Sequence, residues 1–132
     1  MFNYGNNLMP SFERSEKSRK PSSIEIFEDW AILFEEANYT LLNQKISDGI
    51  LNPHNPLING LTPLHIACIQ GNITALRFLL KYNVDVNVES NIGRTALDEA
   101  LFYKYFNCVI ELMKKEVRIT PQHRKVILNQ MV

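Results

Sequence analysis

Between Asn59 and Glu89 the chain reads NGLTPLHIACIQGNITALRFLLKYNVDVNVE, a stretch with few structural options. Thr62 and Pro63 start a helix. The threonine hydroxyl can accept a bond from an early helical N–H, and proline suits the first helical position, where its missing N–H has no partner to lose. Leu64, Ala67 and Cys68 follow at i, i+3 and i+4, on one helix face. Ala67 and Cys68 are small, so a neighbouring helix can come close. Gly71 supplies the left-handed residue that ends this helix. Ile73, Leu76, Leu79 and Leu80 form the apolar stripe of a second, antiparallel helix, and Asn83 again tolerates a left-handed conformation. Val84 to Gly93 alternates with turn residues and reads as an extended, hairpin-like finger.

The same pattern recurs on both sides. A shift of 33 residues carries Gly60 to Gly93, Thr62 to Thr95, Leu64 to Leu97, Ala67 to Ala100, Leu76 to Val109 and Leu79 to Leu112. A backward shift of 34 carries Leu64 to Trp30, Ala67 to Leu33, Gly71 to Ala37, Ile73 to Tyr39, Leu76 to Leu42 and Leu80 to Ile46. This first unit starts at a capping box, Ser22-x-x-Glu25, turns at Asn38-Tyr39 and ends at Gly49. It has lost the Thr-Pro start and carries bulky residues where the middle unit has small ones, so Trp30 is expected in its core. Thr120-Pro121 repeats the helix start only 25 residues after Thr95. That is too soon for a full unit, so Gln122 to Gln130 is expected to be a short closing helix, with Val126 and Ile127 inward and His123, Arg124 and Lys125 outward.

Thr62-Pro63-Leu64-His65, Ala67 and Gly71, in a unit of about 33 residues, resemble the ankyrin repeat. The resemblance implies an all-α fold: a short solenoid of stacked antiparallel helix pairs with β-hairpin-like fingers, plus an extra C-terminal capping helix. It divides the chain into a disordered tail (1–21), a degenerate N-terminal capping repeat (22–56), two clear repeats (57–89 and 90–115) and a closing helix (116–132). It makes His65 structural, since the family's Thr and His side chains tie neighbouring fingers together. Asp98 stands where that histidine recurs and can still accept a bond. Lys104 replaces Gly71, so the turn there is either strained or opened differently.

Composition narrows the function. Fourteen basic and fourteen acidic residues give a formal net charge of zero, which argues against a general binder of nucleic acid or of anionic membranes. No apolar run reaches spanning length, and the N-terminus has no charged start followed by a hydrophobic core, the mark of a secretory leader. Cys68 and Cys108 sit at small-residue helix positions and read as buried reduced thiols. A cytoplasmic location is the expectation, with non-classical secretion into a host cytosol as the alternative. Glycine-rich phosphate loops, G-x-S-x-G and H-E-x-x-H are all absent. The expectation is a chain that is not an enzyme and has no cofactor or metal.

The resemblance implies a protein partner, contacted by finger tips and by the exposed ends of the first helices along a concave face. The matching positions in the first clear repeat are Ile58, Asn59, Leu61, Ile69, Gln70 and Tyr82. In the next they are Asn91, Ile92, Arg94, Phe102 and Tyr103, and the degenerate repeat offers Glu35 and Glu36. Ile69, Ile92, Phe102 and Tyr103 are large and apolar where the fold does not require it, as at interaction surfaces. Aromatic residues and arginine dominate binding hot spots. The expected centre is therefore Ile92, Arg94, Phe102 and Tyr103, flanked by Glu35 and Glu36. The competing expectation is that the closing helix or the N-terminal tail folds over it. Two further readings stay open: self-association as a homodimer, because so few repeats leave much end surface, and a microbial effector acting on a host protein.

Overall fold

The computed structural model describes residues 21–131. The expected disordered tail therefore lies outside the described residues except for Pro21. Three antiparallel helix pairs and a closing helix make up the described chain: α1 (Ser23–Glu35) with α2 (Tyr39–Ser47), α3 (Pro63–Gln70) with α4 (Ile73–Leu80), α5 (Ala96–Phe102) with α6 (Phe106–Met113), then α7 (Pro121–Met131). The first helices of each pair stack as one layer, α1 on α3 on α5 on α7, and α4 packs on α6 in the other. No strand occurs among the described residues. Instead, each finger is a tight turn closed by backbone bonds: Leu57 N–H to the Leu61 carbonyl and Gly60 N–H to the Leu57 carbonyl around the single 3-10 turn Ile58–Gly60, and Ser90 N–H to the Arg94 carbonyl with Gly93 N–H to the Ser90 carbonyl in the next.

The helix starts follow from local chemistry. Ser22, Thr62 and Thr95 each accept from the N–H three residues on, and the side chains of Glu25, His65 and Asp98 return the bond to the capping residue's own N–H. Asn38 and Asn72 cap α2 and α4. The first turn lies two residues earlier than expected, at Glu36–Ala37, because Asn38 is already a cap and Tyr39 already helical.

Between the layers lies a core of small and branched side chains. Ala67, Cys68 and Ala100 are fully buried beside Leu76, Leu97, Val109 and Leu112. The small residues let α3 and α5 approach, and each buried Leu contributes about 1.5–3 kcal/mol through the water it sheds. Trp30 is fully buried in the first unit, 5.5 Å from the Phe34 ring. Cys68 and Cys108 are buried and unbridged, and burial pushes both thiols up, away from the reactive thiolate.

Three helix-pair turns use the left-handed region, at Ala37 (φ 55°), Gly71 (φ 67°) and Lys104 (φ 63°). At Gly71 glycine is required twice over, because a Cβ there would stand 2.5 Å from the Tyr105 ring. At Lys104 the turn keeps its shape and carries strain of about 1–2 kcal/mol. Lys104→Gly is therefore expected to stabilise the fold by about 0.5–1 kcal/mol, the relieved strain less the entropy glycine adds to the unfolded chain. Thermal melts of the two proteins check this, and a lower midpoint for Lys104→Gly would show that the turn is unstrained.

One expectation fails at the closing helix. His123, expected to face outward, is buried at 8% exposure. Its Nδ1 accepts from the Thr120 N–H, and the Thr120 hydroxyl accepts from the His123 N–H. Its Nε2 then donates to the Asp98 carboxylate. Thr120-Pro121-Gln122-His123 is thus a further helix start with the same cap bonds as Thr62–His65. The 25-residue spacing arises because a finger is replaced by a short connection, held where the Asn87 side chain binds the Glu116 carbonyl (3.1 Å) and the Arg118 N–H (2.7 Å). Val126 and Ile127 pack against the core as expected, while Arg124 and Lys125 are exposed.

Candidate functional site

The inner-helix ends and the finger tips converge on one side of the stack. Ile92 tops its finger at 78% exposure, and Phe102 and Tyr103 at the end of α5 are 65% and 45% exposed. Arg94 joins them. Its guanidinium lies 5.0 Å from the centre of the Phe102 ring. The Phe102 and Tyr103 rings meet edge to face at 4.9 Å, and Tyr103 stacks near Tyr105 at 6.2 Å. The row runs from the finger to the Gly71 turn, which Tyr105 abuts. Among the described residues nothing covers it; α7 leaves it open. Tyr105 was not anticipated. It stands one repeat after the capping Asn72 and makes no side-chain cap bond, so an aromatic in a capping position was the available signal.

Rigid supports hold the row. The Arg94 guanidinium donates to both Glu99 carboxylate oxygens, at 3.0 and 3.1 Å, and Glu99 is itself buried. The Arg94 carbonyl accepts from His65 Nε2 at 2.8 Å. His65 Nδ1 accepts from the Thr62 N–H at 3.0 Å, so Nε2 carries the proton. Asn91 N–H donates to the Asn59 carbonyl at 3.0 Å and joins the two finger tips. A Cβ on Gly60 would stand 2.9 Å from that same Asn91 nitrogen.

The histidine tie predicts a pH effect. Burial holds the His65 imidazole below the usual histidine range, outweighing the Arg94 carbonyl and the Glu99 and Asp98 charges that pull it up. The unfolded chain then takes up the proton first. The stability contributed is complete above about pH 6.5 and is lost as pH falls through the lower folded value. Denaturant melts at pH 7.5 and 5.5 should show the loss, with a flatter profile in His65→Gln, which keeps a capping-box residue without a titrating ring. Equal losses in both proteins would sink the assignment.

The other expected contact residues divide. Ile69 is half-buried and lines a depression of about 280 Å³ with Leu61, Ile92, Asn59 and Asn91, so these belong with the patch. Ile58 is half-buried within the first finger. Glu35 and Glu36 are exposed at the end of α1, in register with Ile69 and Gln70. Gln70 is braced, with its amide donating to the Ala31 carbonyl at 3.0 Å. Tyr82 is not brought to the patch. It follows α4, donates its hydroxyl to Asn43 in α2 at 2.8 Å, and meets Phe78, which in turn meets Tyr39. Its ring joins the second-helix layer.

Metal chemistry finds no cluster of three His, Cys, Asp or Glu side chains able to hold an ion among the described residues. No helix there is long and apolar enough to cross a membrane. Residues 30–123 match the family model for ankyrin repeats in three copies. The chain belongs to the ankyrin-repeat family. Such repeats are protein-interaction modules, generally without catalysis. Similar curated proteins include putative glutaminase 2 of Caenorhabditis elegans, 42% identical over 48% of this chain and 11% of its own length. Alpha-latrotoxin-Lt1a of Latrodectus tredecimguttatus is 30% identical over 64% of this chain and 6% of its length. The human SMC5-SMC6 complex localization factor protein 1 is 38% identical over 49% and 6%. The ankyrin chain thus spans about a tenth or less of these relatives. Among solved structures, the human ASB11 ankyrin repeat domain superposes with a TM-score of 0.59 at 24% identity, covering 69% of this chain and 41% of that one. The Bdellovibrio bacteriovorus predatory endopeptidase Bd0816 in complex with immunity protein Bd3460 gives 0.61 at 23%, covering 68% and 47%. These two carry the fold alone.

Proposed function

We propose that this chain is a non-enzymatic adaptor that binds a protein partner through the concave surface centred on Ile92, Arg94, Phe102 and Tyr103. The observation that carries the reading is a braced, exposed aromatic row on a scaffold whose stability does not require it to be apolar. An arginine fixed by Glu99 and a staple between fingers mean that little ordering is left for binding to impose. Affinity capture with the wild-type chain, run beside Ile92→Glu, tests it. The partner should be recovered by the first and lost by the second, and identical recoveries would refute the patch. An effector role in a host cell is the narrower alternative, decided by a translocation assay with the tagged chain.

Self-association has one observation in its favour. Met113 on α6 is in register with Leu80 on α4, yet it is 45% exposed where Leu80 is 7%, and Ile110 beside it is 51% exposed. The face that α4 presents to α6 is open on α6. Light scattering at two concentrations distinguishes a pair joined there from a monomeric adaptor.

A further inference from the structure

We propose that the depression between the fingers seats one aliphatic or aromatic side chain of an extended partner segment, and that Glu35 and Glu36 hold a basic side chain of the same segment about three residues away. This rests on the concave-face reading above and names the chemistry of the partner. The depression, about 280 Å³, has apolar walls from Leu61, Ile69 and Ile92. It falls just below the usual range for small-molecule sites, about 300–1,000 Å³, a size for one side chain rather than a cofactor. It is preformed, because the Asn91–Asn59 bond fixes the finger tips. Glu99 contributes to the lining, but its carboxylate is held by both Arg94 bonds, so an apolar guest meets a neutralised pair.

The acidic end differs in kind. Glu35 and Glu36 are exposed and make no ion pair among the described residues. They close α1, whose last turn carries no basic residue, so the negative end of the helix dipole adds to their charge. Register links the two subsites. The positions of Glu35, Ile69 and Phe102 repeat one another, making the groove acidic, then aliphatic, then aromatic along the stack. Stacked helices lie about 8–10 Å apart, and an extended chain advances about 3.3 Å per residue. One repeat is therefore crossed in about three residues, the separation expected between the apolar anchor and the cation.

Selection of random 12-residue peptides displayed on phage against the whole chain tests this directly. Enriched sequences should share a large apolar residue with Lys or Arg about three positions away. A synthetic peptide carrying the enriched pattern, followed by fluorescence anisotropy, should bind about tenfold more weakly to the Glu35→Lys/Glu36→Lys protein. Changing the peptide's basic residue to Glu should restore binding to that variant. Ile69→Glu should also weaken binding. Peptides that are lost on Phe102→Ala yet lack a basic residue and ignore the charge reversal would overturn this inference and leave the concave-face reading intact. No enrichment, or peptides indifferent to Phe102→Ala and Ile69→Glu alike, would overturn both.

Discussion

Alanine at both Phe102 and Tyr103 is expected to weaken partner binding by at least about 100-fold while moving the melting midpoint by only a few degrees. Aromatic hot spots typically lose 2 kcal/mol or more each on truncation, and losses of 1.4 kcal/mol are tenfold in affinity. The two rings are 65% and 45% exposed, so about half of their combined surface is still in contact with water in the free protein. The stability at risk is their mutual edge-to-face contact and the Arg94 stacking, of order 0.5–1.5 kcal/mol each. Arg94 should stay in place without Phe102, because Glu99 holds it through two bonds. Titration of captured partner against wild type and the double variant, with thermal melts of both, gives the two numbers. Unchanged affinity refutes the patch, and a large drop in midpoint would make these rings part of the core.

Trp30→Ala is expected to destabilise the fold by about 3–5 kcal/mol, the range for truncating a large buried aromatic. The indole is fully buried against Phe34, and in register it fills the place Leu64 and Leu97 take in the later units. Among the described residues the first unit packs against a neighbour on one side only, through α3, and the large indole fills its core. Trp30 Nε1 is buried without a hydrogen-bond partner among the described residues. Removing a buried unpaired donor is favourable, so Trp30→Phe should cost much less than the alanine variant. Denaturant unfolding checks both. A loss below about 1 kcal/mol for Trp30→Ala would mean that α1 and α2 are not part of the cooperative unit.

How far the sequence revealed this depended on whether the relevant interaction is local. Thr62 could be read directly as a cap, because that bond closes within three residues and needs no tertiary partner, whereas the role of His65 came through the family resemblance, since its Nε2 reaches the Arg94 carbonyl 29 residues on. Phe102 and Tyr103 were legible through register alone, since a position already known to point outward was filled by aromatic residues. Tyr82 was misleading in the same scheme. The direction of its ring depends on Asn43 and Phe78, one of them 39 residues away, and no repeat pattern encodes that pairing. His123 carried a readable Thr-Pro-x-His start, but the missing finger shifted it out of the 33-residue period. Its bond to Asp98 also reverses the usual direction. An aspartate cannot donate to the next unit, so the donor has to come back from there. The Arg94–Glu99 clamp spans a finger and a helix start, a spacing that neither helical nor strand periodicity would pick out.

Hydrogen exchange on the complex with a captured partner locates the binding surface without altering the chain, because it reports where protection appears. Slowed exchange is expected at the finger tips around Asn59–Leu61 and Asn91–Arg94 and at the ends of α3 and α5, with α6 unchanged. Protection confined to α6 and α7, with the fingers exchanging as in the free protein, would contradict the concave-face reading.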